Sequence, residues 1–125
     1  MDQATLVSPD INAGQEALAA LDAAQVKQIT ALLMVSSEYE DWRLVLSSPS
    51  LDQTHPLKAY EKVTEVLRGR FVYTLPPILI LPTKDAFIRE LRRIFSKTKD
   101  VTGRRLGGQT IGNRYISNAY VYRVQ

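Results

Sequence analysis

The chain contains no cysteine and a single histidine, His55. The first absence excludes disulfides, thiolate nucleophiles and cysteine-ligated metal centres, and the second excludes a multi-histidine metal site built from one copy. No apolar run approaches the roughly 18 residues a helix needs to cross a bilayer, so no membrane partner is expected. The opening Met1-Asp2-Gln3 lacks a basic segment followed by an apolar one, so no secretory signal is expected and the cytoplasm is the default location. No internal repeat is visible. Neither the phosphate loop Gly-x-x-x-x-Gly-Lys-Ser/Thr nor the dinucleotide fingerprint Gly-x-Gly-x-x-Gly occurs.

What is present is ordinary for a globular domain: 125 residues, 45% hydrophobic and 23% charged, enough for one core. The charge, however, is unevenly spread. Residues 1–67 carry four basic and ten acidic residues, whereas residues 84–125 carry ten basic and three acidic, so a net −6 in the first part faces a net +7 in the last. Such asymmetry is one of the few global features that points toward a partner.

Residues 1–12 lack periodicity and read as a flexible arm, followed by a single domain over 13–125. Ala17, Leu18, Leu21 and Ala24 recur at helical spacing, which predicts a helix from Ala13 to Ala24 with Asn12 as its cap. Ile29 to Val35 is apolar at six of seven positions, a pattern open to helix or doubly buried strand. Trp42, Leu44 and Leu46 then alternate as in a strand, and the polar stretch between the two runs suits a hairpin. A hairpin of 29–36 with 42–48 is therefore predicted, its first strand central. Pro56 opens a helix capped by Thr54 or His55, with Leu57, Tyr60, Val63, Thr64 and Leu67 as its apolar face. Residues 70–75 are β-prone, and Ile78–Leu81, bounded by prolines, reads as a short buried strand. Thr83 is the expected cap of a helix whose stripe is Phe87, Ile88, Leu91, Ile94 and Phe95. A closing hairpin is predicted with strands at 105–111 and 114–124 around Gly112-Asn113. The order α-β-β-α-β-α-β-β implies an α+β fold, about five strands in a mixed or antiparallel sheet with helices packed on it.

Three groups of residues could carry chemistry. The first is basic: Arg89, Arg92, Arg93 and Lys97 on the last helix and its end, and Arg104, Arg105 and Arg114 beyond it. Gathered on one surface, they would neutralise phosphates as nucleic-acid-binding proteins do. The second is aromatic: Tyr115, Tyr120 and Tyr122, with arginines beside them, could stack bases or anchor an interface. The third is Ser47, Ser48, Ser50, Asp52 and His55, whose residue types fit hydrolysis but whose crowding in one loop fits capping and turns better. The acidic run Glu38–Asp41 lacks the ligand spacing of a calcium loop. No cofactor or metal is expected. The expected function is a small non-enzymatic binding module with a basic C-terminal surface, contacting nucleic acid or another polyanion. A homo-oligomeric or protein-interaction domain is the alternative.

Overall fold

A computed structural model describes residues 8–36, 42–52, 55–68 and 76–125. The element order is α1 (Ser8–Ala23), β1 (Thr30–Ser36), β2 (Arg43–Ser47), α2 (Pro49–Asp52), α3 (Pro56–Leu67), β3 (Ile78–Ile80), α4 (Ala86–Ile94), β4 (Arg104–Leu106), β5 (Gln109–Ile111) and β6 (Arg114–Arg123). The strands form one mixed sheet in the order β3-β2-β1-β6-β4, with β5 continuing along β6. β3 runs parallel to β2 and the remaining pairings are antiparallel. The fold is therefore a single α+β domain. A parallel neighbour needs a crossover segment, and α3 lies in the connection from β2 to β3.

β1 explains the layering. Its alternate residues Ala31, Leu33 and Val35 face one side, where they meet Leu18 and Leu21 of α1 and Ala59, Val63 and Leu67 of α3. Leu32 and Met34 face the other side, where they meet Phe87, Ile88 and Leu91 of α4. A strand apolar on both faces requires cover on both, so α1 and α3 form one layer and α4 the opposite one.

Several boundaries and faces differ from the sequence-based expectation. α1 begins at Ser8, so Asn12 lies inside the helix and is not its cap, and residues 8–12 are helical. Residues 1–7 of the expected arm, the hairpin tip at 37–41, Thr54 and the β-prone 70–75 lie outside the described residues. On α3 the buried line is Ala59, Val63 and Leu67, while Leu57 is 67% exposed. The buried arc is centred on Ala59, Val63, Val66 and Leu67, which leaves Leu57 outside it, while Tyr60 stands at its boundary with its hydroxyl accepting the Ile80 amide at 2.9 Å. On α4, Asp85 rather than Thr83 caps the helix, accepting the Phe87 amide. Thr83 is engaged elsewhere, by the Asp52 carboxylate at the end of α2. Ile94 is 38% exposed and falls off the buried stripe.

Two turns show how the backbone is steered. After α1, the Val26 amide reaches the Leu21 carbonyl and the Gln25 amide the Asp22 carbonyl, with Gln25 at φ 65°. This is a Schellman motif, closed by Val26 and Leu21 in the same core cluster. The β5–β6 hairpin turns at Gly112-Asn113, closing between Ile111 and Arg114, with Gly112 at φ 59°. Glycine at the first loop position with positive φ fits a type II′ turn. The expected strand 105–111 exists as β4 and β5, interrupted at Gly107-Gly108 yet in one register along β6.

Two substitutions test this reading by urea denaturation. Gln25→Gly should stabilise the fold by about 0.5–1 kcal/mol, because a left-handed backbone disfavours side chains bearing Cβ. No gain would mean that Gln25 is not held in that conformation. Gly112→Ala should cost at least about 2 kcal/mol, against about 1 for Gly108→Ala. Both positions have positive φ, but a Cβ on Gly112 would lie 2.6 Å from the Ala86 carbonyl oxygen, whereas one on Gly108 meets nothing within 4 Å. Equal costs would refute the packing of the turn against α4.

Candidate functional site

The seven basic residues singled out from the sequence fall into three settings rather than one patch. Packing of α4 through Phe87, Ile88 and Leu91 leaves Arg89 and Arg93 exposed on its outer surface, with Lys97 exposed just beyond. Arg89 and Arg93 border a shallow cavity shared with Ala86, Glu90 and Gly112 of the neighbouring turn. Arg93 pairs with Glu90 one turn away. That hydrogen bond, aided by the guanidinium charge, holds the Glu90 carboxyl below its usual range. Among the described residues, Arg89 and Lys97 form no ion pair.

Arg92 has a different task. Its Nε donates to the Gln125 carbonyl at 3.1 Å and Nη1 to the Thr83 carbonyl at 3.3 Å. The same Gln125 exchanges two hydrogen bonds with Thr30 Oγ1. Arg92 thus ties α4 to the chain after β6 and, through Gln125, to the start of β1. Arg105 is similarly engaged: Nε donates to the Ala119 carbonyl at 3.1 Å and Nη2 to Asn118 Oδ1 at 2.9 Å.

Arg104 and Arg114 belong to the sheet. Arg104 stands opposite Val121, hence on the α4 side, whereas Arg105 stands opposite Tyr120, on the α1 side. Arg114 is half-buried opposite Ile111 at the hairpin base. Near Arg104, Asp100 accepts the Thr102 amide, and that bond chiefly lowers its pKa, with Arg104 contributing less.

The tyrosines do not line up either. Tyr122 is buried against α1, its hydroxyl donating to the Ile11 carbonyl at 2.8 Å. Tyr120 packs edge-on to it, ring centroids 5.2 Å apart at 69°. Tyr115 alone is well exposed, at 46%, near the hairpin tip. Two of the three therefore belong to the core. The serine, histidine and aspartate group does not converge on one point. Ser48 donates to the Lys27 carbonyl, His55 caps α3 by accepting the Leu57 amide at 3.3 Å, and Asp52 holds Thr83. No group of metal-ligating side chains occurs among the described residues.

One ion pair escapes a reading by simple alternation. β6 has a bulge opposite Ala31 and Leu32. Strict alternation sets Val124 beside Tyr122 and Arg123 on the other face. The bulge reverses this: Arg123 reaches Asp22 of α1 with two bonds of 2.8 and 2.9 Å, and Val124 packs in the α4 cluster. Bulges re-aim side chains in this way, and a lone strand sequence carries no mark of them.

No protein-family model, characterised protein or solved structure matches the chain.

The Asp22–Arg123 pair predicts an acid-sensitive contribution to stability. The hydrogen bonds from Arg123 lower the Asp22 pKa, opposed by slight burial and aided by the guanidinium charge. A lowered folded pKa adds stability that is complete above the unfolded value and is lost as pH falls through the folded value. Asp22→Asn should cost about 0.5–1 kcal/mol at neutral pH, as for a well-formed but solvent-accessible pair. The gap from the parent protein should close below the ordinary aspartate pKa of about 3.9. A gap independent of pH in urea titrations would show that the asparagine damages packing instead.

Proposed function

We propose that this chain is a polyanion-binding module that presents the outer surface of α4. The observation behind this reading is the way the sheet separates charge. α1 carries Asp10, Glu16 and Asp22 with no lysine or arginine, and it packs on the same face as α3, away from α4. From Lys84 to Asp100 the other layer holds six basic residues against three acidic ones. Those three are already committed: Asp85 to the helix cap, Glu90 to Arg93, and Asp100 to the Thr102 amide. Arg89, Lys97 and Lys99 are all exposed, so this is the surface where positive charge is least compensated. Cations so placed neutralise phosphates and release counterions, a driving force that needs no base-specific contact. Nucleic acid is the polyanion to test first. The residues carrying the interaction are Arg89, Arg93 and Lys97, while Arg92 and Arg105 serve the fold.

Fluorescence anisotropy with labelled single- and double-stranded oligonucleotides across a salt series tests the proposal. Three phosphate contacts predict a log–log salt slope of about −3 on duplex DNA. Arg89→Glu combined with Lys97→Glu should weaken binding at least tenfold and flatten that slope. Absence of binding at low salt, or binding indifferent to both substitutions, would overturn the reading.

A further inference from the structure

The two edges of the sheet are treated differently. At one edge, β3 is three residues long, flanked by Pro76, Pro77 and Pro82, and its Ile80 amide is occupied by the Tyr60 hydroxyl. Prolines and a side chain bonded to the ladder blunt an edge against further pairing. At the other edge, β4 and β5 extend along β6 in one register from Arg104 to Ile111, and no described strand lies beyond them. Backbone groups alternate in direction along a strand, so half of those on an edge strand point away from the sheet toward another chain; the Arg104 amide is already taken by the Val101 carbonyl, so the pairing falls on the residues after it.

The chemistry around this edge is one-signed. Between residues 101 and 125 the sequence has no aspartate or glutamate. Arg104 and Arg105, both exposed, project from β4 to opposite faces, so a strand laid beside it would have a guanidinium above and another below. Arg105 is held in place by the Ala119 carbonyl and Asn118, with further N–H donors left to bond. At the middle of the edge Gly107 and Gly108 bring no side chain, and the space a Cβ on Gly108 would take is empty.

From this we infer that the β4–β5 edge receives an extended acidic segment of another protein as an added strand. Main-chain hydrogen bonds supply the pairing, and neighbouring carboxylates of the segment, which fall on opposite faces of a strand, meet Arg104 and Arg105. A second copy of this chain is the poorer occupant, because its own edge brings the same arginines to the junction. The inference concerns a surface other than the α4 face and does not rest on the reading of that face.

The probe is a fluorescein-labelled octapeptide repeating Glu-Glu-Val-Val, which sets carboxylates on both faces of a strand, compared with its lysine–valine counterpart and with the same glutamate–valine peptide N-methylated at every backbone amide. The acidic peptide should bind with an affinity that falls with salt, and the lysine peptide should not bind. N-methylation, which keeps every charge but removes the backbone donors, should weaken binding at least tenfold, as should Arg104→Glu. Hydrogen–deuterium exchange should show protection gained within residues 104–111. Equal binding of the methylated peptide would reduce the contact to charge alone and overturn the inference, as would protection confined to another element. Protection of the same amides by an oligonucleotide in place of the peptide would make the occupant a nucleic acid. A concentration-dependent dimer that the peptide dissolves would make it a second copy. Either result overturns the assignment.

Discussion

The organisation of this protein depends on β1 having no side that tolerates water. Ala31, Leu32, Leu33 and Met34 are fully buried in succession, so both faces of the sheet around them must be covered. Burial of each of the three larger side chains stabilises the fold by about 1.5–3 kcal/mol, and leaving either face bare would forfeit part of the set. α1 and α3 satisfy one face and α4 the other. The charge separation is a consequence of this arrangement. The acidic helix α1 and the basic helix α4 are kept apart by a sheet, and their side chains cannot interleave across it. Where charges of the two halves do meet, as in Asp22 with Arg123, the contact occurs because a bulge in β6 turns an arginine toward the acidic layer.

Much of the architecture was legible in the sequence. The run Ile29–Val35 beside the alternating Trp42, Leu44 and Leu46 marked a hairpin, and the stripe Phe87, Ile88 and Leu91 marked α4 and its buried face. Gly112-Asn113 marked the last turn, because few residue pairs accept a two-residue reversal. Local pattern fails where the deciding partner is distant. Nothing around Leu57 shows that α3 will pack through Ala59, Val63 and Val66 and leave Tyr60 at the boundary, bonded to the Ile80 amide. Nothing around Thr83 shows that Asp52 will occupy it and leave the cap to Asp85.

The candidate site was legible as composition and obscure as geometry. A count of arginines between 84 and 125 is correct as charge, yet it gives equal weight to residues in unlike settings. Arg92 and Arg105 donate to backbone carbonyls, Arg93 has Glu90 beside it, and Arg89 and Lys97 face outward without an ion partner among the described residues. An arginine becomes a structural fastener when it sits within reach of backbone carbonyls, and that reach is set by tertiary packing. The tyrosines follow the same logic. Tyr122 is in the core because its ring lies over Gly14 of α1, where a Cβ would collide with the hydroxyl, and no strand periodicity foretells a gap in a helix surface.

The tie between Thr30 and Gln125 spans 95 residues of chain. β1 reaches its second neighbour, β6, only through contacts of comparable separation, and such pairings form late because the intervening loop must close first. On the ribosome the hairpin of β1 and β2 is complete long before β6 has been made. Until then the middle of the future sheet is a lateral edge with two oily faces, the kind of surface that sticks to its like. The final residues of β6 therefore decide when the nascent chain stops being vulnerable, and production of this protein should be sensitive to anything that delays or shortens that last strand.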